Sequence, residues 1–252
     1  MSRLLTSEMI WPEVENSLKN IKLAIVPVGS CEQHGPNTTF ATDTDRAYEF
    51  CKLLGDRIGE KVLIFPPITY GVSYHHMSFP GTVTIKIKTM IDVLVDIGVA
   101  IAKHGINTIL FINGHGGNRV ALDAAIQILK HEHNIDAYWS GMGTNIARKT
   151  LEEEYGIPQI IGHACEVETS QCMYLAPWDV SDNLQSGKLH EESAYFKKIF
   201  VDGNAPWDWK TDVSENGALG DATRASYEMG KRMTDIALDY LESVIDEIIR
   251  RN

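Results

Sequence analysis

Basic residues are in short supply: 23 Lys and Arg stand against 34 Asp and Glu, for a formal net charge of −11 over 252 residues. A surface of that sign repels a phosphate backbone, so nucleic acid is excluded as a general partner. Long hydrophobic runs are missing too. No stretch is apolar enough to span a bilayer, and residues 1–8 (MSRLLTSE) lack the apolar run of a signal peptide. Cysteine is scarce: Cys31, Cys51, Cys165 and Cys172 are the only four, with no CxxC pair among them. A chain this long needs no staples, so they are read as reduced thiols in a cytoplasmic protein. Cys31 and Cys165 lie beside candidate ligands and are read as small buried residues rather than metal thiolates. There is no internal repeat and no low-complexity segment.

What is present is a 44% hydrophobic chain, enough to build one large α/β domain over residues 1–252 with no visible linker. Residues 21–28 (IKLAIVPV) form a short β-rich apolar run that ends in Gly29-Ser30, a buried strand followed by a loop. The pattern predicts a helix over 43–54, capped by Thr42 or Asp43, with Ala47, Phe50, Cys51 and Leu54 on its apolar face. A second strand is expected at 61–68, stopped by Pro66-Pro67. An amphipathic helix follows at 86–104, ended by Gly105. Further elements are a strand at 108–112, a helix at 120–131, a strand at 135–140 and a largely helical stretch from 219 to 249. His131 and His133, at a helix end, are read as structural. Alternating strands and helices with short connections imply a three-layer sandwich, a mainly parallel sheet flanked by helices. Ligands in such sheets bind at the carboxyl ends of the strands.

Three clusters could carry chemistry. The first is Glu32-Gln33-His34 with Asp43. Glu, His and Asp suit Zn²⁺, Mn²⁺ or Fe²⁺, and on an extended backbone Glu32 and His34 point the same way. Alternatively Glu32 is a surface charge, His34 a polar loop residue and Asp43 a helix cap. The second is Asn113-Gly114-His115-Gly116-Gly117-Asn118, directly after a strand. Its glycines permit positive φ and a close approach to a ligand. A phosphate cradle is the competing use, although the P-loop and dinucleotide spacings are both missing. The third is His163 with Glu166 and Glu168. An extended segment would put both carboxylates on one side, as ligands or proton carriers. The bland alternative is an acidic turn before a helix at 171–176. His75-His76 is a weaker signal, and one of the two could line a substrate pocket. Trp139, Trp178, Trp207 and Trp209 are given no site role. Residues 188–217, which include His190, Glu191 and Glu192, read as a lid or an inter-subunit arm.

Taken in order, these motifs resemble the creatininase (creatinine amidohydrolase) family, whose pattern runs PVGSxEQHGPHLPLxTD, YGxSxxHxxFPGT, NGHGGN, HAGxxETS. The matching stretches here are 27–36 with Thr42-Asp43, 70–82, 113–118 and 163–170, spread over roughly residues 20–180. The resemblance implies two divalent metal ions (Zn, Mn or Fe) on Glu32, His34, Asp43, His115 and Glu168, with Asp43 bridging. It implies His163 as the residue that moves a proton. His76, Gly116 and Gly117 are the candidates to meet a small-molecule substrate. A homo-oligomer, often a hexamer, is the family's usual assembly.

Departures from the pattern bear on the substrate. In creatininase itself the turn reads NGHYEN and its glutamate bridges the metals; here that position is Gly117, which leaves Glu168 as the best replacement, ahead of Glu166. Gly162 stands where an acid precedes the histidine, Asn37 departs from PHLP, and Cys165 replaces a glycine. These changes point away from creatinine itself. The NGHGGN form occurs in relatives that act on a formamidopyrimidine, on a cofactor-precursor peptide and on an oxidised inositol ring. The resulting expectation is a hydrolase of a C–N bond in a small cyclic amide or formamide, acting through a metal-activated water. The alternatives are ring opening of an oxidised inositol (3-dehydro-scyllo-inosose type) and, in another class, a phosphate- or nucleotide-binding α/β module.

Overall fold

In the computed structural model, which describes residues 4–158, 162–189, 198 and 206–251, the run expected to form a strand does so as β1 (Leu23–Val28), and every residue of it is buried. With β2 (Val62–Ile64), β3 (Thr108–Asn113) and β4 (Asp136–Gly141) it makes a parallel sheet of order β2-β1-β3-β4. A strand buried on both faces needs no polar alternation, which is why β1 and β3 read as continuous apolar runs.

The period of two nevertheless sorts the side chains. Ala24, Val26, Ile109 and Phe111 face α3 (Ile87–Ala102) and α4 (Arg119–His133). Leu23, Ile25, Leu110 and Ile112 face α2 (Thr42–Ile58) and the long C-terminal helix (Tyr227–Arg251, α7). The result is the three-layer α/β sandwich. Short α1 (Trp11–Ser17) and α5 (Arg148–Tyr155) lie at its margins, and α6 (Glu166–Leu175) packs on α2 and α7.

Pro27 sits in a central strand, where a proline ordinarily removes a ladder bond. Its carbonyl accepts from Ile68 N–H, so Pro27 faces the β2 side, and the β1–β2 ladder has already ended at Ile25–Ile64. The proline therefore costs the sheet no hydrogen bond. It also explains why β2 is shorter than the expected 61–68: only Val62–Ile64 pair, with Ile68 returning as a single bridge to Val28.

From β1 the chain turns to β2 on one side, and from β3 to β4 on the other. The order of winding reverses between β1 and β3, and the crevice beyond their carboxyl ends is the expected ligand position. Two glycines let the first turn of α2 into that crevice. A Cβ at Gly114 would lie 2.2 Å from the Asp43 carbonyl oxygen, and one at Gly29 would lie 2.2 Å from Thr44 Oγ1. Neither has positive φ, nor do Gly116 and Gly117. Gly29, Gly114 and Gly117 serve close approach, which corrects the expected positive φ, and Gly116 meets nothing within 4 Å.

All four cysteines are unpaired. Among the described residues no helix is long and apolar enough to cross a membrane. The stretch expected to be a lid or arm falls largely on residues 190–205, outside the described residues except Lys198; its described end, residues 206–217, carries a short helical turn, Trp209–Val213.

Candidate metal centre

Three loops and two helix starts converge above the β1–β3 crevice. The loop after β1 brings Glu32 and His34, the loop at 70–76 brings Ser73 and His76, and the turn after β3 brings His115. The first turns of α2 and α6 bring Asp43 and Glu168. Glu32, His34, Asp43, His76 and His115 are all at most 4% exposed.

Local hydrogen bonds explain the motif letters. Asn113 brackets His115, accepting from its N–H at 3.2 Å and donating to its carbonyl at 2.7 Å. Asn118 donates to Gly29 O and accepts from Val72 N, stapling the 70–73 loop to the tip of β1. Ser73 Oγ donates to Glu32 Oε2 at 2.7 Å.

The central distances are short. Glu32 Oε1 lies 3.1 Å from His115 Nδ1, and Asp43 Oδ2 lies 3.4 Å from the same nitrogen. His34 Nε2 is 3.3 Å from Asp43 Oδ1 and 3.8 Å from Glu168 Oε2. His163 Nδ1 is 3.7 Å from both Glu32 Oε1 and Glu168 Oε2. The five residues named as ligands in the sequence, with His163, therefore meet in one cluster.

Two expectations are corrected here. Asp43 does not cap α2: the N-cap is Ala41 with no side-chain bond, and the carboxylate turns inward to the histidines. Glu166 and Glu168 are not on an extended segment but in the first turn of α6, which begins earlier than the expected 171. Two positions apart on a helix point in nearly opposite directions. Glu168 enters the cluster, while Glu166 accepts from Asp221 N at 2.8 Å on the far side. Glu168 is further fixed by Ala164 N, which donates to Oε2 at 2.7 Å. Ala164 itself holds φ +52, a left-handed conformation unusual for a residue with a Cβ and often found at functional sites.

The charges explain the titration. Among the described residues, three carboxylates face one permanent cation, Arg46, whose Nη2 contacts Glu168 Oε1 at 2.5 Å and Asp43 Oδ1 at 3.3 Å. Burial works against a charged His34, yet Asp43 and Glu168 overcome it and hold its pKa up at about 9. His115 is raised well above the usual imidazole range, Glu32 and Asp43 outweighing its burial. Burial also opposes ionisation of Asp43, but His34 and His115 keep it well below the usual carboxylate range. Burial and the neighbouring imidazoles push His76 and His163 the other way, toward the neutral form. Burial raises the Cys165 thiol to about 12, which removes it as a thiolate at neutral pH.

Two buried atoms at the centre, His34 Nε2 and Asp43 Oδ2, lie at ion-pair distance from Asp43 Oδ1 and His115 Nδ1 but make no well-directed hydrogen bond among the described residues. Ligand atoms of Glu32, His34 and Asp43 lie within 4.8 Å of one another, as do those of His34, His163 and Glu168. Buried carboxylates and imidazoles whose ligand atoms crowd together, the imidazoles held charged only by those carboxylates, are a donor set that divalent cations can occupy in place of the imidazole protons. The same carboxylates would repel a phosphate, against the anion-binding alternative.

Several contributors were not assigned from the sequence. Arg46 is one. Trp209 is another: buried, it stacks on His76 at 4.8 Å between ring centroids and meets His163 edge-on at 5.0 Å. Trp207 approaches His75 at 5.3 Å, and His75 stacks parallel to His115 at 5.7 Å. Gly117 is packed so tightly that a Cβ would lie 2.1 Å from Val72 O, whereas Gly116 faces open space.

Comparison with known proteins agrees with this fold. The family model described as Creatininase: Creatinine amidohydrolase matches residues 7–245. A mycofactocin precursor peptide peptidase of Mycolicibacterium smegmatis is 34% identical over 218 residues, covering 84% of this chain and 80% of that protein. A 3-dehydro-scyllo-inosose hydrolase of Thermotoga maritima is 31% identical over 267 residues, covering 96% of this chain and 83% of that one. Solved structures described as a Zn–Zn type of a creatininase variant and as a manganese creatininase share the fold. Both have a TM-score of 0.82 at 22% identity; the first covers 99% of both chains and the second 98% of both.

Proposed function

Since this chain belongs to the creatininase family, we propose that it is a binuclear metal-dependent hydrolase that cleaves a C–N bond in a small cyclic amide or formamide. The carrying observation is that His34 Nε2 and Asp43 Oδ2, buried among carboxylates and imidazoles, make no well-directed hydrogen bond among the described residues. Glu32, His34, Asp43, His115 and Glu168 would hold two divalent cations, Asp43 being shared because its two oxygens face different histidines. The zinc and manganese forms described for creatininase structures support these metals for the site. Bound there, the cations supply Lewis acidity, lowering the pKa of water and polarising a carbonyl.

The chain's own groups do the rest. His34 and His115 each donate their outer N–H to a backbone carbonyl, Glu32 O at 3.1 Å and Val72 O at 2.9 Å, which aims the inner nitrogen at the cluster. His163 is held the same way by Gln33 O at 2.6 Å, so its Nδ1 can accept a proton and pass it to the leaving nitrogen. The inosose hydrolase relative, matched along 96% of this chain, supports ring opening of an oxidised inositol as the second reading.

Metal analysis of the purified chain, followed by a substrate panel of creatinine, formamidopyrimidine and keto-inositol compounds, tests the proposal. Two equivalents are expected in the native chain, and Asp43→Ala should lose one or both together with activity. Two full equivalents retained in that variant would refute the shared-ligand role.

A further inference from the structure

Among the described residues four buried imidazoles face the cluster, and three of them follow one rule: the outer nitrogen donates to a backbone carbonyl, and the inner nitrogen faces the carboxylates. His76 breaks it. Its outer nitrogen, Nδ1, meets not a carbonyl but the side-chain nitrogen of Gln33, at 2.8 Å. That amide cannot be turned round. Its oxygen accepts from Gly35 N–H at 2.7 Å, and its nitrogen donates to the Gly217 carbonyl at 3.1 Å. A flipped amide would set N–H against N–H at Gly35 and oxygen against oxygen at Gly217. Backbone groups thus determine which end is the donor, independently of how side-chain amides are assigned.

A donor on Nδ1 requires a lone pair there, so the proton of neutral His76 is on Nε2. An imidazolium would set Nδ1–H against the amide N–H. We propose that Gln33 locks His76 as the Nε2–H tautomer, making it a neutral hydrogen-bond donor for a carbonyl oxygen of the substrate rather than a metal ligand. The inward Nε2 makes no hydrogen bond among the described residues; the nearest acidic oxygen, Glu32 Oε1, is 3.6 Å away. A protonated nitrogen has no lone pair for a cation, although Glu32, His76 and His163 otherwise lie close enough to form a ligand group. The stack on Trp209 fixes the ring plane.

Gln33 is the positioning residue for two rings in opposite senses. Its side chain gives His76 an inward N–H, and its backbone carbonyl gives His163 an inward lone pair, with the rings 4.4 Å apart. One neighbour donates to a reacting oxygen while the other can accept a proton. Gly217 is part of the device: at φ +83, a Cβ there would lie 2.0 Å from Gln33 Oε1.

The role as substrate donor rests on the hydrolase reading above; the tautomer does not. The full chain, labelled with ¹⁵N-histidine, is examined by two-bond ¹H–¹⁵N correlation with and without added Zn²⁺. His76 signals are identified by their loss in His76→Phe, which keeps a ring against Trp209. The expected result is an Nε2-protonated, Nδ1-unprotonated His76 in both states, converted to an Nδ1-protonated ring in Gln33→Glu. His76→Phe should retain the native metal content while kcat falls by about 10²–10³-fold, the usual cost of losing a donor to a reacting oxygen. An Nδ1–H tautomer in the native chain, or a lost metal equivalent in His76→Phe, overturns the proposal. A native chain that binds no metal sinks the hydrolase reading, and the tautomer in that chain still decides the Gln33 lock.

Discussion

The strands of the sheet and the cluster above their tips are equally dry. Leu23 and Ile25 have no exposed surface; Glu32, His34 and Asp43 have 1% each. What holds them differs in kind. The strands gain from every apolar atom removed from water, a non-directional gain that tolerates small changes of shape. The cluster contains carboxylates that would be better solvated outside and is held by directed contacts to one guanidinium, several imidazoles and backbone groups. Removing one partner in the sheet leaves a cavity. Removing one from the cluster leaves a buried charge.

The largest stability effect should therefore come from Arg46. Its guanidinium touches Glu168, Asp43, Gln171 Oε1 and the Gly114 carbonyl. Arg46→Met keeps much of the volume but strips two buried carboxylates of their permanent cation, and breaking such a pair costs about 3–5 kcal/mol. Urea unfolding of the metal-stripped chain should show that loss, with a smaller loss once divalent metal is present to restore positive charge. Arg46→Lys should fall between, since it keeps the charge without the planar fork. A loss below about 1 kcal/mol in the stripped Met variant would mean the cluster is no more costly than a surface ion pair.

Gly114→Ala tests the seam between the two regions. Its methyl would sit 2.2 Å from the Asp43 carbonyl oxygen, so the start of α2 must move away from the tip of β3. The expected cost is about 1–3 kcal/mol, as for other overpacked sites. Because the displaced backbone carries Asp43, metal affinity should fall along with stability. Gly116→Ala, which meets nothing within 4 Å, is the control and should change neither. Equal behaviour of the two variants would separate the seam from the cluster.

The sheet was legible from sequence because burial on both faces writes itself as continuous apolar runs, LAIVPV and TILFI, punctuated by glycine. The ligand candidates were legible through the order of the motifs they sit in, since spacing alone left Glu32, His34, Asp43 and Glu168 open to use as surface charges, caps or turns. Direction was not. Glu168 and Glu166 look equivalent until it is known that the segment is helical, where two positions separate them by slightly more than a half turn. Arg46 reads as one more charge on an amphipathic helix, since nothing local says that α6 will cover it. The glycines at 114 and 117 signal special backbone, but whether they serve positive φ or close approach depends on Asp43 and Val72, which are distant in sequence. Trp209 and the Gln33 amide are used through contacts to His76 that cross 133 and 43 positions, as their numbers show.

The smallest effect belongs to the sheet. Ile25 lies at the centre of β1, fully buried against α2 and α7, on the face away from α3 and α4. Ile25→Val removes one methylene without changing the β-branched shape, at a cost of about 0.5–1.5 kcal/mol. The backbone pairing of Ile25 with Ile64 and Leu110 needs no particular side chain, so the register and the loop that leaves β1 should stay in place. Metal content and kcat should match those of the native chain even as the urea midpoint falls. If this variant instead loses metal in proportion to its stability, the cluster and the sheet share one tightly coupled packing arrangement, and the contrast between a forgiving body and an exacting tip fails.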